Sequence, residues 1–190
     1  MAQPTTSFRE EMASAARGCF ALLTGNRQAA SFFDFSQRGL IGSFIAFLLA
    51  NAISAFVPQL FGLGLEPGLA TRGLLMNGVL FILQAALAYV VLRQLGRTDG
   101  FVPFLVADNW TSFFTAFLSL LLLLVGDGGG IAFFGVIIVV IIIDINIARL
   151  IVTLSPLQVA MFIVAQLVGA SIGLLLFYGM LMPVGTPPPV

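Results

Sequence analysis

The 190-residue chain has no lysine, no histidine and a single cysteine, Cys19. Without histidine it lacks the commonest general base and metal ligand. One cysteine excludes an intrachain disulfide and any cysteine-cluster metal site. A catalytic thiol would find no imidazole to activate it, so Cys19 reads as a small apolar residue on a helix. Charge is scarce as well: 8% of residues are charged, against about 25% in soluble domains. Eight arginines balance eight acids, and no basic patch points to nucleic acid. "GDGGG" at 126–130 has neither a lysine nor a following serine or threonine, so it is a turn and not a phosphate loop. No group of carboxylates has metal-ligand spacing. These absences leave little to support enzymatic catalysis, and no metal or other cofactor is expected.

What the chain has is apolar length. Hydrophobic residues make up 59% of it, and the mean hydropathy is +1.10. A water-soluble fold of this size could not hide so much apolar surface, so lipid is the expected solvent. A spanning helix needs about 20 mostly apolar residues. Five such segments are predicted, at 39–61, 73–95, 103–125, 131–151 and 156–182. The expected fold is an all-α, five-helix transmembrane bundle. Residues 1–38 precede it as a cytosolic or interfacial segment, and a Pro-rich tail, 183–190, follows. The first 38 residues carry no continuous apolar stretch of signal-peptide type, so the first span is expected to direct insertion. Within 7–24, Phe8, Met12, Ala15, Ala16, Cys19 and Leu23 recur at helical spacing, with Glu10, Ser14 and Arg17 towards the other side. This predicts an amphipathic helix lying on the membrane or on the bundle. Trp110 reads as an interface anchor, and Pro58 as a kink near the end of the first span.

The arginines predict orientation. With the N-terminus inside, Arg9, Arg17, Arg27, Arg38, Arg93, Arg97 and Arg149 are cytosolic, and Arg72 alone lies opposite. Two ladders of small residues predict close helix packing. One is Gly42, Ala46, Ala50 and Ser54; the other is Ala165, Gly169 and Gly173.

Polar residues inside the spans are the candidates for function. Asp144 interrupts "GVIIVVIIIDINIARL" roughly 10 Å from the inner end of its helix, at about 1.5 Å per residue. An aspartate at the bilayer centre costs roughly 2.5–3.5 kcal/mol on insertion scales. Arg149 is a poor partner, because five residues at about 100° each turn it well away. Asp144 must face another helix, carry a proton or touch water. Asn51, Gln84 and Gln166 lie near the middles of their spans. Asp108 and Asn109 lie nearer the cytosolic entrance, where Arg93 and Arg149 are also expected. Together these predict a polar cluster in the inner half of the bundle. Such groups either fix packing by hydrogen bonds between helices or form a proton or solute site.

Two stretches, "GRTDGFVPFLVADNWTSFF" and "NIARLIVTLSPLQVAMF", together with the five closely spaced spans and minimal tail, resemble bacterial members of the Yip1-type membrane proteins over roughly residues 20–182. The "DLYGP"-like signature of eukaryotic members is missing before the first span. The resemblance implies a five-helix topology and a role in partner binding or membrane organisation. The reading is thus of a non-enzymatic integral protein of the bacterial inner membrane, in contact with lipid and with other membrane proteins or further copies of itself. A small proton- or solute-coupled transporter using Asp144 is the alternative, and an accessory subunit of a larger membrane complex is a third.

Overall fold

A computed structural model describes residues 7–60, 68–124 and 130–181. Residues 61–67 and 125–129, where the sequence leads us to expect turns, and the Pro-rich tail lie outside the described residues. Six helices carry the fold: α1 Phe8–Leu23, α2 Gln37–Leu60, α3 Leu69–Gln94, α4 Phe101–Leu124, α5 Gly130–Asn146 and α6 Pro156–Leu181. Five of them, α2 to α6, are long and apolar enough to cross a membrane. Among the described residues there are no strands. The protein is an all-α, multi-pass integral membrane protein. Its outer surface shows the same: Ile82, Leu121, Phe134, Ile138 and Leu175 each leave more than half of their surface uncovered. So broad an apolar exterior is stable only against lipid chains.

The fourth span reaches Ile151, as expected, but its last turn is not regular α-helix. Regular α-helix stops at Asn146, and Ile147–Ile151 form a π-turn. The amides of Val152 and Leu154 reach back to the carbonyls of Ile147 and Ala148. Arg97, from the α3–α4 connection, secures this end. Its guanidinium donates to the Val152 carbonyl at 2.7 Å, the Thr153 carbonyl at 2.9 Å and the Thr153 hydroxyl at 2.6 Å. Thr153 has φ +59°, a left-handed conformation that a β-branched residue adopts only when its surroundings hold it there.

The tightest helix pairings are α2 with α4 and α3 with α6. Neither pair is adjacent in sequence. Small residues set both. Ala46 and Ala50 are buried on α2, and Ser43 accepts a hydrogen bond from the Asn109 amide of α4 at 3.2 Å, while Gly42 faces α1. On α6, Gly169 lies against Leu87 of α3 and Gly173 against Leu80. Ala165 is half-buried, and Ser54 is exposed. Pro58 falls in the last turn of α2.

The amphipathic helix α1 is docked on the bundle. Its start is sealed by a capping box, in which Ser7 and Glu10 exchange side-chain and backbone bonds. Ala15 and Leu22 are fully buried. The Asn146 amide donates to the Leu22 carbonyl at 2.8 Å, a tie from α5 to the last turn of α1 on a carbonyl that also accepts from the Gly25 amide. Trp110 is 1% exposed, with Phe8 and Phe113 both 5.8 Å from its ring. It is therefore a core residue beneath α1 and not an interface anchor.

Two further groups mark this docking surface. Cys19 is buried beside Thr111, with Sγ 3.8 Å from the hydroxyl, and burial pushes its thiol up to about 12. Glu11 is wedged against Gly42, where an added Cβ would stand 2.7 Å from its Oε1. That oxygen is buried without a hydrogen-bond partner among the described residues. Burial first, then the charge of Asp34, raises the Glu11 carboxyl above its ordinary 4.5, and Arg38 offsets part of this. A carboxyl raised in the docked state favours docking when protonated. Docking is therefore tightest at or below pH 4.5 and weakens as pH climbs through the raised value. Cys19 alkylation, normalised to the unfolded chain at each pH, will accelerate over that window. Glu11→Gln will flatten the profile; identical profiles for the two proteins would refute the role of Glu11.

Candidate functional site

The two tight helix pairs do not close completely on each other, and α5 lies across the gap. A cavity of about 280 Å³ remains between α3, α4, α5 and α6. Asp108 of α4 and Asp144 of α5 both line it, with Gln84 of α3 and Gln166 of α6. An adjoining cleft of about 660 Å³ shares Asp108, Asp144 and Gln84 and reaches Asn51 and Ser54 of α2. Because Asn51, Asn77, Ser119 and Leu174 line this cleft, it extends towards the end of the bundle opposite α1.

Towards the arginine-rich end the wall of the cavity is aromatic. The rings of Phe104 and Phe162 meet edge-on at 5.1 Å. Around the connections at that end, Ile147, Ala148 and Val152 are fully buried, and Val152 also packs against Gly100. The cavity is continuous with the cleft, with which it shares Asp108, Asp144 and Gln84.

The predicted polar residues divide into two sets. Asp108, Asp144, Gln84, Gln166 and Asn51 come together around the cavity and cleft. Arg93 and Arg149 do not join them. Both are exposed near the ends of their helices, and among the described residues neither pairs with an aspartate. Their long, strongly hydrated side chains are cheaper to keep in water than in the bundle. Asn109 also turns away. It is buried on the α2 face of α4, bonded to Ser43, and its Oδ1 has no partner among the described residues.

Several hydrogen bonds organise the wall. The Gln166 amide donates to the Gln84 carbonyl at 3.3 Å, tying α6 to α3. The Asn77 amide donates to the Asn51 side chain at 3.0 Å, tying α3 to α2. Neither Asp108 nor Asp144 accepts a hydrogen bond from the described residues. Their carboxyl oxygens are left to the cavity.

Four hydroxyl residues went unnoticed in the sequence reading. Thr111, Ser112, Thr115 and Ser119 continue from Asp108 along one side of α4, at helical spacings of three and four. The signal is present in "DNWTSFFTAFLS", but hydroxyl residues are common in apolar helices, where they bond back to their own carbonyls. Thr111 and Thr115 do so here, to Ala107 and Thr111 at 2.8 Å each. Both protons are spent on the helix; the Thr111 oxygen also meets the Cys19 thiol of α1, which leaves the Thr115 oxygen as an acceptor on the wall.

No family model matches the sequence, and neither curated proteins nor solved structures yield a match. The functional reading therefore rests on the residues and their arrangement. Among those described, no group of three or more acidic or cysteine side chains is placed to hold a metal ion.

Proposed function

We propose that this protein is a small carrier that binds a proton or a cationic solute in its intramembrane cavity, with Asp108 and Asp144 as the binding groups. The observation that carries the reading is the two carboxyls on one cavity, neither of which pairs with a cation or accepts a hydrogen bond among the described residues. Burying uncompensated charge costs several kcal/mol per ion, on the order of the insertion penalty or more. Residues that only fixed packing would have spent their oxygens on neighbouring helices, as Asn146 and Gln166 spend their amides.

The test is proton flux in liposomes containing the purified protein under an imposed pH gradient. Wild type is expected to conduct above empty liposomes, and Asp144→Asn to abolish that flux. Flux unchanged in Asp144→Asn would sink the proposal. The arginine bias further supports an N-terminus on the cytosolic side of a bacterial inner membrane. In that orientation the cleft extends towards the opposite face, and a reporter that matures only outside the cytosol will be active when fused after Val190.

A second reading is the partner-binding or membrane-organising role implied by the Yip1-type resemblance. Phe20 favours it: this large side chain of α1 is 67% exposed and lies with Arg17 and Phe32 around a shallow groove. If that surface holds a partner, a membrane protein will co-purify in mild detergent and be lost with Phe20→Asp. Equal recovery from both would dismiss it.

A further inference from the structure

We infer that the ligand of the cavity is a small organic cation: an ammonium group carrying one apolar or aromatic body. This rests on the carrier reading above and specifies its substrate class. Half of the wall is acidic and rich in acceptors. Asp108 and Asp144 present carboxyl oxygens, and Thr115 presents a hydroxyl oxygen whose proton is already bonded within α4. No arginine lines the space, so an anion would meet repulsion without relief.

The other half is aromatic and aliphatic. Phe81, Phe104 and Phe162 line the same cavity. Phe162 is 1% exposed, and Phe104 meets it edge-on at 79°. Ring faces attract a desolvated cation, and the attraction is strongest for weakly hydrated ammonium groups. An inorganic cation takes a tight shell of oxygen ligands and gains nothing from such a wall. A neutral apolar solute would fill the aromatic half but leave both carboxyls uncompensated. Only a molecule with a charged head and an apolar body satisfies both halves. The volume, about 280 Å³, accommodates a single-ring ammonium.

The decisive experiment measures equilibrium binding of radiolabelled benzyltrimethylammonium to the full-length protein in lipid nanodiscs. Its charge is fixed, so ligand deprotonation does not enter. Competitors are tetramethylammonium, which lacks the ring, neopentylbenzene, which lacks the charge, and sodium. Benzyltrimethylammonium is expected to bind saturably, and each competitor to be weaker by about tenfold or more. Asp144→Asn and Asp108→Asn are each expected to weaken it by about tenfold or more. Phe81→Leu, at a half-buried ring that leaves the core intact, is expected to weaken it severalfold. Binding retained in both aspartate variants would overturn the inference. Proton flux that depends on Asp144, without benzyltrimethylammonium binding, would overturn the substrate class and leave the carrier standing. Absence of both would overturn both.

Discussion

Gly39→Ala will destabilise the protein, although alanine is the better helix former. In a helix, alanine is favoured over glycine by about 1 kcal/mol. At Gly39 that gain meets a larger penalty. The chain crosses back over the start of α2, and an added Cβ would run into the backbone carbonyl oxygen of Asp34, with the carbonyl carbon at 2.7 Å and Asp34 Cβ at 2.8 Å. Backbone cannot swing aside as a side chain does. It is also pinned here: the Ser36 amide donates to Asp34 Oδ1 at 2.9 Å, and Phe33 is 7% exposed against the core. Overpacking of this kind costs about 1–3 kcal/mol where neighbours can adjust, and more where they cannot. We expect a fall in melting temperature of about 5 °C or more in detergent. Gly73→Ala and Gly78→Ala are the controls. Neither position has an atom within 4 Å of an added Cβ, so there the helix preference acts alone and stability is held or raised. If Gly39→Ala behaves like the controls, the close approach at Asp34 is wrong.

Gly169→Leu will separate α6 from α3 and disrupt assembly. A Cβ at Gly169 would stand 2.5 Å from Leu87 Cδ1, and one at Gly173 would overlap the Leu80 side chain. Alanine at either position asks only that a flexible leucine end rotate. Leucine asks for several carbon atoms where α3 already lies, and its cost exceeds the usual 1–3 kcal/mol or so of overpacking. Gly169→Leu should give aggregated protein or a much lower melting temperature, while Gly169→Ala gives a small loss. Leu87→Ala combined with Gly169→Leu restores part of the volume, so the double variant should be more stable than Gly169→Leu alone. Additive losses would show that the two residues do not touch. Because Gln166 and Gln84 join the same two helices beside the cavity, disruption here should also deform the cavity.

These two cases illustrate what could be read before folding. The ladder Ala165, Gly169 and Gly173 was legible because close backbone approach demands small residues at a fixed spacing. Its partner helix was not. Lipid and protein core are both apolar, so a helix such as α6 carries hydrophobic residues all round and shows no stripe to say which side is buried. Gly39 looked like any glycine at a helix start, because its constraint comes from a carbonyl five residues back along a turn. Trp110 was misplaced for a related reason. Its depth suited a membrane anchor, and only the docking of α1 over it makes it core.

The same division runs through the candidate site. The cost of Asp144, and its poor geometry for pairing with Arg149, followed from helix spacing alone. That Asp108 shares its cavity followed from nothing local, because the residues lie on different helices whose rotations are set by the α2–α4 and α3–α6 contacts. Composition and hydropathy determined that this is a membrane protein and that five helices are long and apolar enough to cross. Tertiary structure alone decided that helices distant in sequence pair most tightly, that the gap between the pairs stays open, and that two aspartates face it without a protein cation. The physical reason is that hydrophobic burial in lipid is satisfied equally by many helix rotations. The choice among them falls to close packing at glycine and alanine and to a handful of polar contacts, none of which any single segment contains.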